Sequence, residues 1–242
     1  MIEEKTVLGI IPARGGSKRI PRKNLIKLAH KPLIAYTIEA GLHSPYIDTL
    51  VVSTDDREIA DVAITHNAQV PFLRPIELAR DESCTFEAIR HSIEYYRDIE
   101  KREFDFVVLL QPTSPLRDSS DINEALEFLI YKRADAVISV CEVEHSPLWT
   151  NTLPVDLSMA GFLRADVKNL HSQDLRRYYR LNGAIYICNT RRLLAEKSFF
   201  IMDNVYAYIM PKEKSVDVDT MLDLKLCEIL LKEGMRATHD QD

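Results

Sequence analysis

Short runs of apolar residues recur along the chain from Val7 to Val140. The first, Val7–Ile11, is apolar throughout, as expected of a strand buried on both faces of a parallel sheet. Similar runs predict four more strands, at Thr49–Ser53, Val70–Leu73, Phe106–Leu110 and Ala134–Val140.

The stretches between these runs have apolar residues three or four positions apart, which is the spacing of one helix face. Helices are predicted over Pro32–Leu42, from Asp55 to about His66, from Thr85 past Tyr96, and over Asp118–Tyr131. Strands that alternate with helices predict an α/β fold, a mostly parallel sheet with helices on both faces.

Residues 141–179 interrupt this alternation. The stretch is polar, contains two prolines and has no helical period, so we expect a β-rich insertion of hairpins that projects from the sheet. Strands resume at Ala184–Cys188 and Tyr206–Met210, and Thr220–Leu231 predicts a closing helix. The predicted organisation is a core of residues 1–140 plus 180–242 and an insertion of residues 141–179.

The composition fits a globular protein that binds a small anion. A hydrophobic content of 46% in 242 residues is enough for one large domain with a full core. The net charge of −6 argues against a nucleic-acid partner but still allows a local cationic site.

The four cysteines form no CxxC pair, so neither a zinc site nor a disulfide framework is indicated. The N-terminal apolar run is too short for a signal peptide or a membrane span, and we expect a cytoplasmic protein without a membrane partner.

A basic loop, PARGGSKRIPRKN, follows the first predicted strand. Ligands of parallel sheets bind beyond the carboxyl ends of the strands. Gly15 and Gly16 allow backbone conformations that turn consecutive amides toward an anion. The positive charge comes from Arg14, Lys18, Arg19, Arg22 and Lys23. The loop matches neither GxxxxGK[ST] nor GxGxxG, so from the residues alone it is either a triphosphate site or a solvated basic turn.

Near the other end of the chain, SVDVDT places Asp217 and Asp219 two residues apart. On an extended segment alternate side chains point the same way, so both carboxylates could share a hard cation such as Mg²⁺. The alternative is structural: Asp219 could cap the closing helix and Asp217 could lie on the surface.

Six strings, taken in order, resemble those of one enzyme family. They are IIPARGGSKRIPRKN, VVSTDD, FLRPIELARD, LLQPTSPLR, RLNGAIYI and SVDVDTMLDL. Together they span about Val7 to Leu226 and are similar to the CMP-sialic acid synthetases (acylneuraminate cytidylyltransferases). The resemblance implies a Rossmann-like fold and a Mg²⁺-dependent reaction of CTP with a sialic-type nonulosonic acid that gives CMP-sugar and pyrophosphate. It also implies a homodimer, in which residues 141–179 reach over the partner's active site.

The resemblance further implies a role for each matching residue. On the nucleotide side, the phosphate loop contains Arg14, Gly15, Ser17 and Lys18. Lys23 is expected on the phosphates, Asn24 near the nucleotide, Arg74 near the cytosine and Thr85 near the ribose. The sugar side comprises Gln111, Arg180, Asn182, Gly183, Tyr186, Phe199 and Phe200. The two phenylalanines are expected near the N-acyl group, from the neighbouring subunit. Asp217 and Asp219 match the metal-binding aspartates.

One position departs from the family. Many relatives have arginines just before QDL, one of which helps to hold the sugar carboxylate, whereas this chain has His171 and Ser172. Arg176 and Arg177 follow and could compensate. Arg180 is our first candidate for the carboxylate, because a guanidinium can bind it through two hydrogen bonds.

The expected chemistry is in-line attack of the sugar's anomeric hydroxyl on the α-phosphorus of CTP. Lys23 and Arg14 would neutralise the leaving phosphates, and Mg²⁺ on the aspartate pair would offset charge on the phosphate oxygens. The sequence offers no dedicated general base. His91 and His145 are available, but a lone histidine is more often structural.

Other interpretations remain open at this point. The sugar acid could be legionaminic or pseudaminic; PTSP at 112–115, where pseudaminic relatives tend to have PTAP, favours a sialic or legionaminic acid. A metal-dependent glycosyltransferase could use Asp217-Val218-Asp219 as its DxD motif, although that motif normally lies in mid-chain. A non-catalytic nucleotide-binding module is disfavoured by Lys23 together with both aspartates.

Overall fold

The computed structural model describes residues 1–80, 82–171 and 174–239. Its strands are β1 (Val7–Pro12), β2 (Lys27–Leu28), β3 (Lys31–Pro32), β4 (Thr49–Ser53), β5 (Phe106–Leu110), β6 (Ala136–Glu142), β7 (Tyr179–Asn189) and β8 (Val205–Ile209). Six of them form one sheet in the order β4-β1-β5-β7-β6-β8, and β2 and β3 form a separate antiparallel pair.

The large sheet is parallel except for one strand. β1 is parallel to β4 and to β5, β6 is parallel to β8, and β7 runs antiparallel between β5 and β6. The predicted, mostly parallel α/β sheet is thereby confirmed. Because β7 is reversed, its first residues lie at the same edge as the carboxyl ends of β1, β4 and β5.

Helices cover both faces of the sheet, as predicted. They are α1 (Leu33–Leu42), α2 (Arg57–Thr65), α3 (Thr85–Asp98), α4 (Ser119–Lys132), α5 (Thr190–Glu196) and α6 (Met221–His239). Val7 and Ile11 of β1 pack with α1, α2 and α4, whereas Leu8 and Ile10 pack with α3 and α5. This alternation explains why β1 is apolar at each position: both of its faces are buried.

Aspartates determine where two of the helices begin. Asp56 precedes α2, and its side chain accepts a hydrogen bond from Ile59 N at 3.1 Å. Asp118 precedes α4 and forms a reciprocal capping box with Asp121. Both helices therefore start within two residues of the predicted positions, because a side-chain acceptor satisfies amides that the helix itself leaves free.

Besides the apolar side chains on the two faces of the sheet, a further apolar cluster joins the basic loop to the SVDVDT segment and α6. Ile20 of the loop and Leu28 of β2 pack with Val218 and with Leu224 of α6. In addition, Val218 N donates to Thr113 O at 2.8 Å, just beyond β5. These contacts bring the SVDVDT segment beside the loop that follows β1.

Two sequence expectations were wrong in detail. Val70–Leu73 forms no strand; the pairing there is a single bridge between Val51 and Gln69, since Pro71 has no N–H to donate to a ladder. The expected β-rich insertion is likewise not seen: the described residues between β6 and β7 contain the short 3₁₀ helix Pro147–Trp149 but no strand. This segment is closed at its base by Val143 N, which donates to Tyr178 O at 3.0 Å.

Two remaining expectations concern membranes and cysteines. None of the helices among the described residues is both long enough and apolar enough to cross a bilayer. All four cysteines are free thiols; Cys84 is exposed, and Cys141, Cys188 and Cys227 are buried.

Candidate active site at the carboxyl edge of the sheet

A cavity of about 560 Å³ lies beyond the carboxyl ends of β1 and β5. Gln111 of the predicted sugar site and Asp219, one of the two predicted metal ligands, line it. So do seven of the predicted nucleotide-site residues: Arg14, Ser17, Lys18, Lys23, Asn24, Arg74 and Thr85. Several further residues line the cavity although the sequence had assigned them no binding role: Leu78, Ala79, Arg80, Ser83, Cys84 and Pro112.

The lining is strongly cationic, although the chain as a whole is acidic. Among the described residues, the positively charged ones in the lining are Arg14, Lys18, Arg19, Lys23, Arg74 and Arg80, and the acidic one is Asp219. The first turn of α3 also borders the cavity, and no side-chain hydrogen bond from the described residues caps that helix. Cations and open helix amides together suit a polyanion such as a triphosphate.

Two side chains hold the basic loop, that of Asp55 just after β4 and that of Asn24 within the loop itself. Gly15 N donates to Asp55 Oδ1 at 3.1 Å, and Asn24 Nδ2 donates to Arg14 O at 3.0 Å. Asn24 is only 7% exposed, so it shapes the loop besides lining the cavity. A Cβ at Gly15 would lie 2.6 Å from Asp56 Oδ2, whereas one at Gly16 would meet nothing within 4 Å.

Asp55 was missed by sequence reasoning, which placed it only at the start of a helix. Its Oδ1 also lies 3.6 Å from Nη2 of Arg74, whose side chain is 5% exposed. Nε and Nη2 of Arg74 are buried and donate no hydrogen bond among the described residues. Burial lowers the pKa of Arg74, and Asp55 opposes that effect. A buried guanidinium with unused donors at the cavity wall is equipped to bind an acceptor-rich ligand.

Lys23 and Asp219 are paired with each other in this structure. Lys23 Nζ donates to Val218 O at 2.8 Å and to Asp219 Oδ1 at 3.1 Å, and Arg19 Nη1 lies 2.5 Å from Asp219 Oδ2. The side chain of Asp219 does not cap α6; Thr220 does, since its Oγ1 accepts from Asp223 N at 3.4 Å and Asp223 Oδ2 accepts in return from Thr220 N at 2.7 Å. The helix-cap alternative for Asp219 is therefore not supported.

Asp217 has the properties of an unused ligand. Its Oδ1 is buried and accepts no hydrogen bond in good geometry from the described residues. Burial raises its pKa, the charge of Asp219 adds to that effect, and the nearby Thr113 hydroxyl and Lys23 only partly offset it. Two neighbouring carboxylates fit Mg²⁺, which keeps several waters and binds substrate phosphates. The described residues contain no cluster of three or more His, Cys, Asp or Glu that could hold a metal, so the protein share of such a site would be small.

The loop sequence had predicted that Arg22 adds positive charge to the anion site, but Arg22 does not line the cavity. It adopts a left-handed conformation (φ 56°) and forms ion pairs with Asp56 and Glu58 at the start of α2. Its charge is therefore used to hold the loop against α2.

A β-bulge shapes the predicted sugar side. Between Ile138 and Val140 of β6, the partner positions on β7 jump from Tyr186 to Leu181. The extra residues include Gly183 at φ 75°, a conformation that favours glycine.

Asn182 stabilises this bulge from within. It is 1% exposed, its Oδ1 accepts from Ser139 Oγ at 2.6 Å, and its Nδ2 donates to Ser215 Oγ at 3.0 Å. Although Asn182 was expected to bind the sugar, its side chain is buried and does not line the cavity.

Gln111 and Gly183 face each other across β5 and β7. A Cβ at Gly183 would lie 3.6 Å from Gln111 Oε1, so the two residues are close neighbours. Gln111 thus links the cavity wall to the bulge.

Tyr186, Phe199 and Phe200 form an aromatic group within this one chain. The ring of Tyr186 lies 5.7 Å from that of Phe199 and 6.4 Å from that of Phe200. Phe199 is 8% exposed and belongs to the core beneath α3, whereas Phe200 is 57% exposed. The pKa of Tyr186 is raised by burial and, secondarily, by the charge of Asp217, so Tyr186 lies within electrostatic range of that carboxylate.

Arg180 lies at the start of β7 and is engaged by an acid. Its Nη2 is 2.9 Å from Glu144 Oε1, its Nε is 3.4 Å from Glu144 Oε2, and Nη2 also approaches Ser215 O at 3.4 Å. Glu144 had not been singled out from the sequence. The alternative carboxylate ligands Arg176 and Arg177 are exposed, and Ser172 falls outside the described residues.

The histidines offer no base in the cavity. His91 lies on α3, packed edge-on against Phe72 with ring centroids 4.6 Å apart, and burial lowers its pKa. His145 is exposed on the segment after β6. Neither residue lines the cavity.

A second cavity, of about 620 Å³, opens at the opposite edge of the sheet. Its walls include Lys5, Arg102, Asp105 and Thr190. It contains none of the predicted site residues, and the carboxyl-edge cavity is the better candidate because ligands of such sheets bind there.

Comparison with known proteins adds a family and several relatives. A family profile described as cytidylyltransferase matches residues 8–224. The CMP-N,N'-diacetyllegionaminic acid synthase of Legionella pneumophila is 37% identical over 96% of this chain and 98% of its own length. The N-acylneuraminate cytidylyltransferase of Escherichia coli O18:K1:H7 is 38% identical over 97% of this chain, which spans only 54% of that relative.

A solved structure agrees in fold. The CMP:2-keto-3-deoxy-manno-octonic acid synthetase, complexed with CTP, has a TM-score of 0.68 over 95% of this chain and 99% of its own, at 18% identity. At that identity the likeness speaks for the fold alone.

Proposed function

The chain belongs to the cytidylyltransferase family, and within it we propose that the enzyme couples CTP to a sialic-acid-type nonulosonic acid. The anomeric hydroxyl oxygen forms a bond to the α-phosphorus of CTP, the bond from that phosphorus to the bridging oxygen of the β-phosphate breaks, and the hydroxyl proton is released. The products are CMP-sugar and pyrophosphate.

The cationic cavity carries this proposal. Six Arg and Lys side chains and one acid line it among the described residues, and the first turn of α3 adds backbone amides. In our proposal Arg14, Lys18 and Lys23 neutralise the triphosphate. The buried Arg74 binds the cytosine through Nε and Nη2, which donate no hydrogen bond to the described residues. Electrostatic stabilisation and alignment of this kind are the main demands of phosphoryl chemistry.

The sugar acid would lie where β5 and β7 meet. Gln111, the aromatic group around Tyr186, and Arg180 surround this place, and Asp217 is close enough to affect the pKa values of both Tyr186 and Arg180. A carboxylate on Arg180 and an acyl methyl on the exposed Phe200 would orient the anomeric hydroxyl toward the nucleotide.

We propose Mg²⁺ as the cofactor, with Asp217 and Asp219 as its protein ligands. When bound, the ion would offset charge on the phosphates and lower the pKa of the attacking hydroxyl. Lys23 and Arg19 neutralise Asp219 in this structure. In the loaded site these two cations would turn to the triphosphate, and Asp219 would be available to hold the ion.

We further propose that the enzyme is a cytoplasmic homodimer. The segment between β6 and β7 exposes several large apolar side chains, including Leu153, Val155, Leu157 and Met159. A monomer that left them in water would carry an apolar patch typical of an interaction site. Light scattering after gel filtration would measure the mass; a monomer at micromolar concentration contradicts this part of the proposal.

A pyrophosphate-release assay tests the reaction. The enzyme would be given CTP, Mg²⁺ and, in parallel, N-acetylneuraminic, legionaminic, pseudaminic and octulosonic acids, with ATP replacing CTP as the nucleotide control. We expect release with CTP and one of the nonulosonic acids. Binding of CTP without turnover of any acid would favour a non-catalytic nucleotide-binding module, and sugar transfer from a nucleotide-sugar donor would favour the DxD glycosyltransferase.

Legionaminic acid is the second candidate substrate. The Legionella relative matches along 98% of its own length, and Ser114 gives the PTSP string expected for a sialic or legionaminic acid. The ratio of kcat/KM for the two acids in the same assay decides between them.

A further inference from the structure

The arginine proposed to bind the sugar carboxylate already holds a carboxylate of its own chain. Glu144 approaches Arg180 with both oxygens, at 2.9 Å from Nη2 and 3.4 Å from Nε. This two-point arrangement is the one by which a guanidinium binds a free carboxylate. The edge formed by Nε and Nη2 accommodates one such group, so a substrate carboxylate and Glu144 cannot occupy it together.

The two partners differ in how firmly they are held. Arg180 is held in place by β7, in which its backbone lies opposite Cys141 of β6. Its Nη2 also approaches Ser215 O. Glu144 follows the end of β6, in the irregular segment that begins there, and its side chain is 55% exposed. Glu144 can therefore turn into solvent while Arg180 stays in place, and an exposed pair of this kind is weak.

Arg180 also lies near the proposed reaction centre. Ser215 belongs to the segment that continues to Asp217, and the charge of Asp217 acts on Arg180. A carboxylate on Arg180 would thus lie beside the place where the anomeric hydroxyl has to meet the nucleotide.

We propose that Glu144 is an internal competitor for the substrate's carboxylate and thereby sets the affinity of the enzyme for its sugar acid. Binding exchanges one carboxylate for another on Arg180, and return of Glu144 helps the carboxylate of the CMP-sugar product to leave. No covalent step is involved. The inference rests on the proposed function, because it needs an acid as the second substrate.

Steady-state kinetics of Glu144→Gln test this exchange. Without the competing charge, the KM of N-acetylneuraminic acid should fall about two- to five-fold, the factor that corresponds to loss of an exposed ion pair. The KM of CTP should stay unchanged. Glu142→Gln is the matched control, since it removes the same charge two residues away on β6, and its kinetics should equal those of the wild type.

Two further measurements separate competition from other effects. With the C1 methyl ester of the sugar, which has no carboxylate, Glu144→Gln should bring no gain. A rise in the KM of the acid would instead mean that Glu144 positions Arg180, and an equal effect of both variants would mean general charge repulsion; either result overturns the proposal.

A spectroscopic readout keeps this inference distinct from the proposed function. The Nε–H resonance of Arg180, identified by its loss in Arg180→Lys, should differ between the wild type and Glu144→Gln without any substrate. If the wild type turns over none of the acids, the proposed function is wrong, whatever this spectrum shows. If the resonance is the same in both proteins, the ion pair is absent in solution and the inference is wrong, even for an active enzyme.

Discussion

Replacement of Gly15 by alanine should destabilise the protein through one side chain, that of Asp56. The new Cβ would lie 2.6 Å from Asp56 Oδ2 and 3.0 Å from Asp56 Cβ, so the aspartate has to move. It would then lose the cap bond to Ile59 N and the ion pair with Arg22. A lost cap costs about 1 kcal/mol and an exposed ion pair about 0.5 kcal/mol. We therefore expect a loss of about 1–2 kcal/mol, or about 3–6 °C in Tm for a chain of this size.

Thermal and urea unfolding would measure this change against two controls. Gly16→Ala introduces the same methyl group one residue later, where it meets nothing within 4 Å, and it should leave Tm almost unchanged. In an Asp56→Gly background the obstructing atoms are absent, and glycine is itself an acceptable cap, so Gly15→Ala should cost little there. Equal Tm values for the two alanine variants, or an undiminished cost in the Asp56→Gly background, would refute the reasoning.

The pH dependence provides a further check on this prediction. Burial alone would raise the pKa of Asp56, but the hydrogen bonds from Arg22 and Ile59 N outweigh it and lower the pKa. Stability that comes from a lowered carboxyl pKa is present above the ordinary Asp range and is lost as the pH falls through the folded-state value. The stability difference between wild type and Gly15→Ala should therefore shrink in acid.

Three other variants or reagents probe the cavity. Lys23→Ala should lower kcat at least about 100-fold with an unchanged circular dichroism spectrum. The control Lys31→Ala removes a surface ion pair with Glu39 and should stay near the wild-type rate. Similar rates for the two variants would exclude Lys23 from the site. Asp217→Asn should raise the Mg²⁺ concentration at half-maximal rate at least about ten-fold, and a titration curve that coincides with that of Asp203→Asn would exclude Asp217 as a ligand. Cys84 lines the cavity and is exposed, so a thiol reagent should modify it in the folded protein and CTP should protect it; modification at the same rate with CTP would place the nucleotide elsewhere.

Much of the fold could be predicted from local pattern. Thr49–Ser53 and Phe106–Leu110 are strands with the predicted limits, because runs buried on both faces are apolar at almost every position. The direction of a strand leaves no such trace, so the reversal of β7 came only from the structure. Pro71 is the residue whose backbone chemistry ruled out the strand expected around it.

The site was predictable where neighbours in sequence are neighbours in space. The basic loop was found because its five charges lie within ten residues, but the pairing of Lys23 with Asp219 joins positions 196 residues apart, which no periodicity reveals. Asp55 looked like a helix-start residue because Asp56 beside it is one. Asn182 matched a sugar-site string, yet its role in the structure follows from burial, which a motif does not report.

The base of the segment between β6 and β7 has a consequence for how such an enzyme can change over generations. The chain leaves the sheet at Glu142 and returns at Tyr179, and a backbone hydrogen bond from Val143 N to Tyr178 O closes the gap. Closing a longer or shorter loop changes the entropic cost only slowly with length. The segment can therefore change in length over generations, or be replaced by the corresponding segment of a relative, while β6 and β7 keep their register.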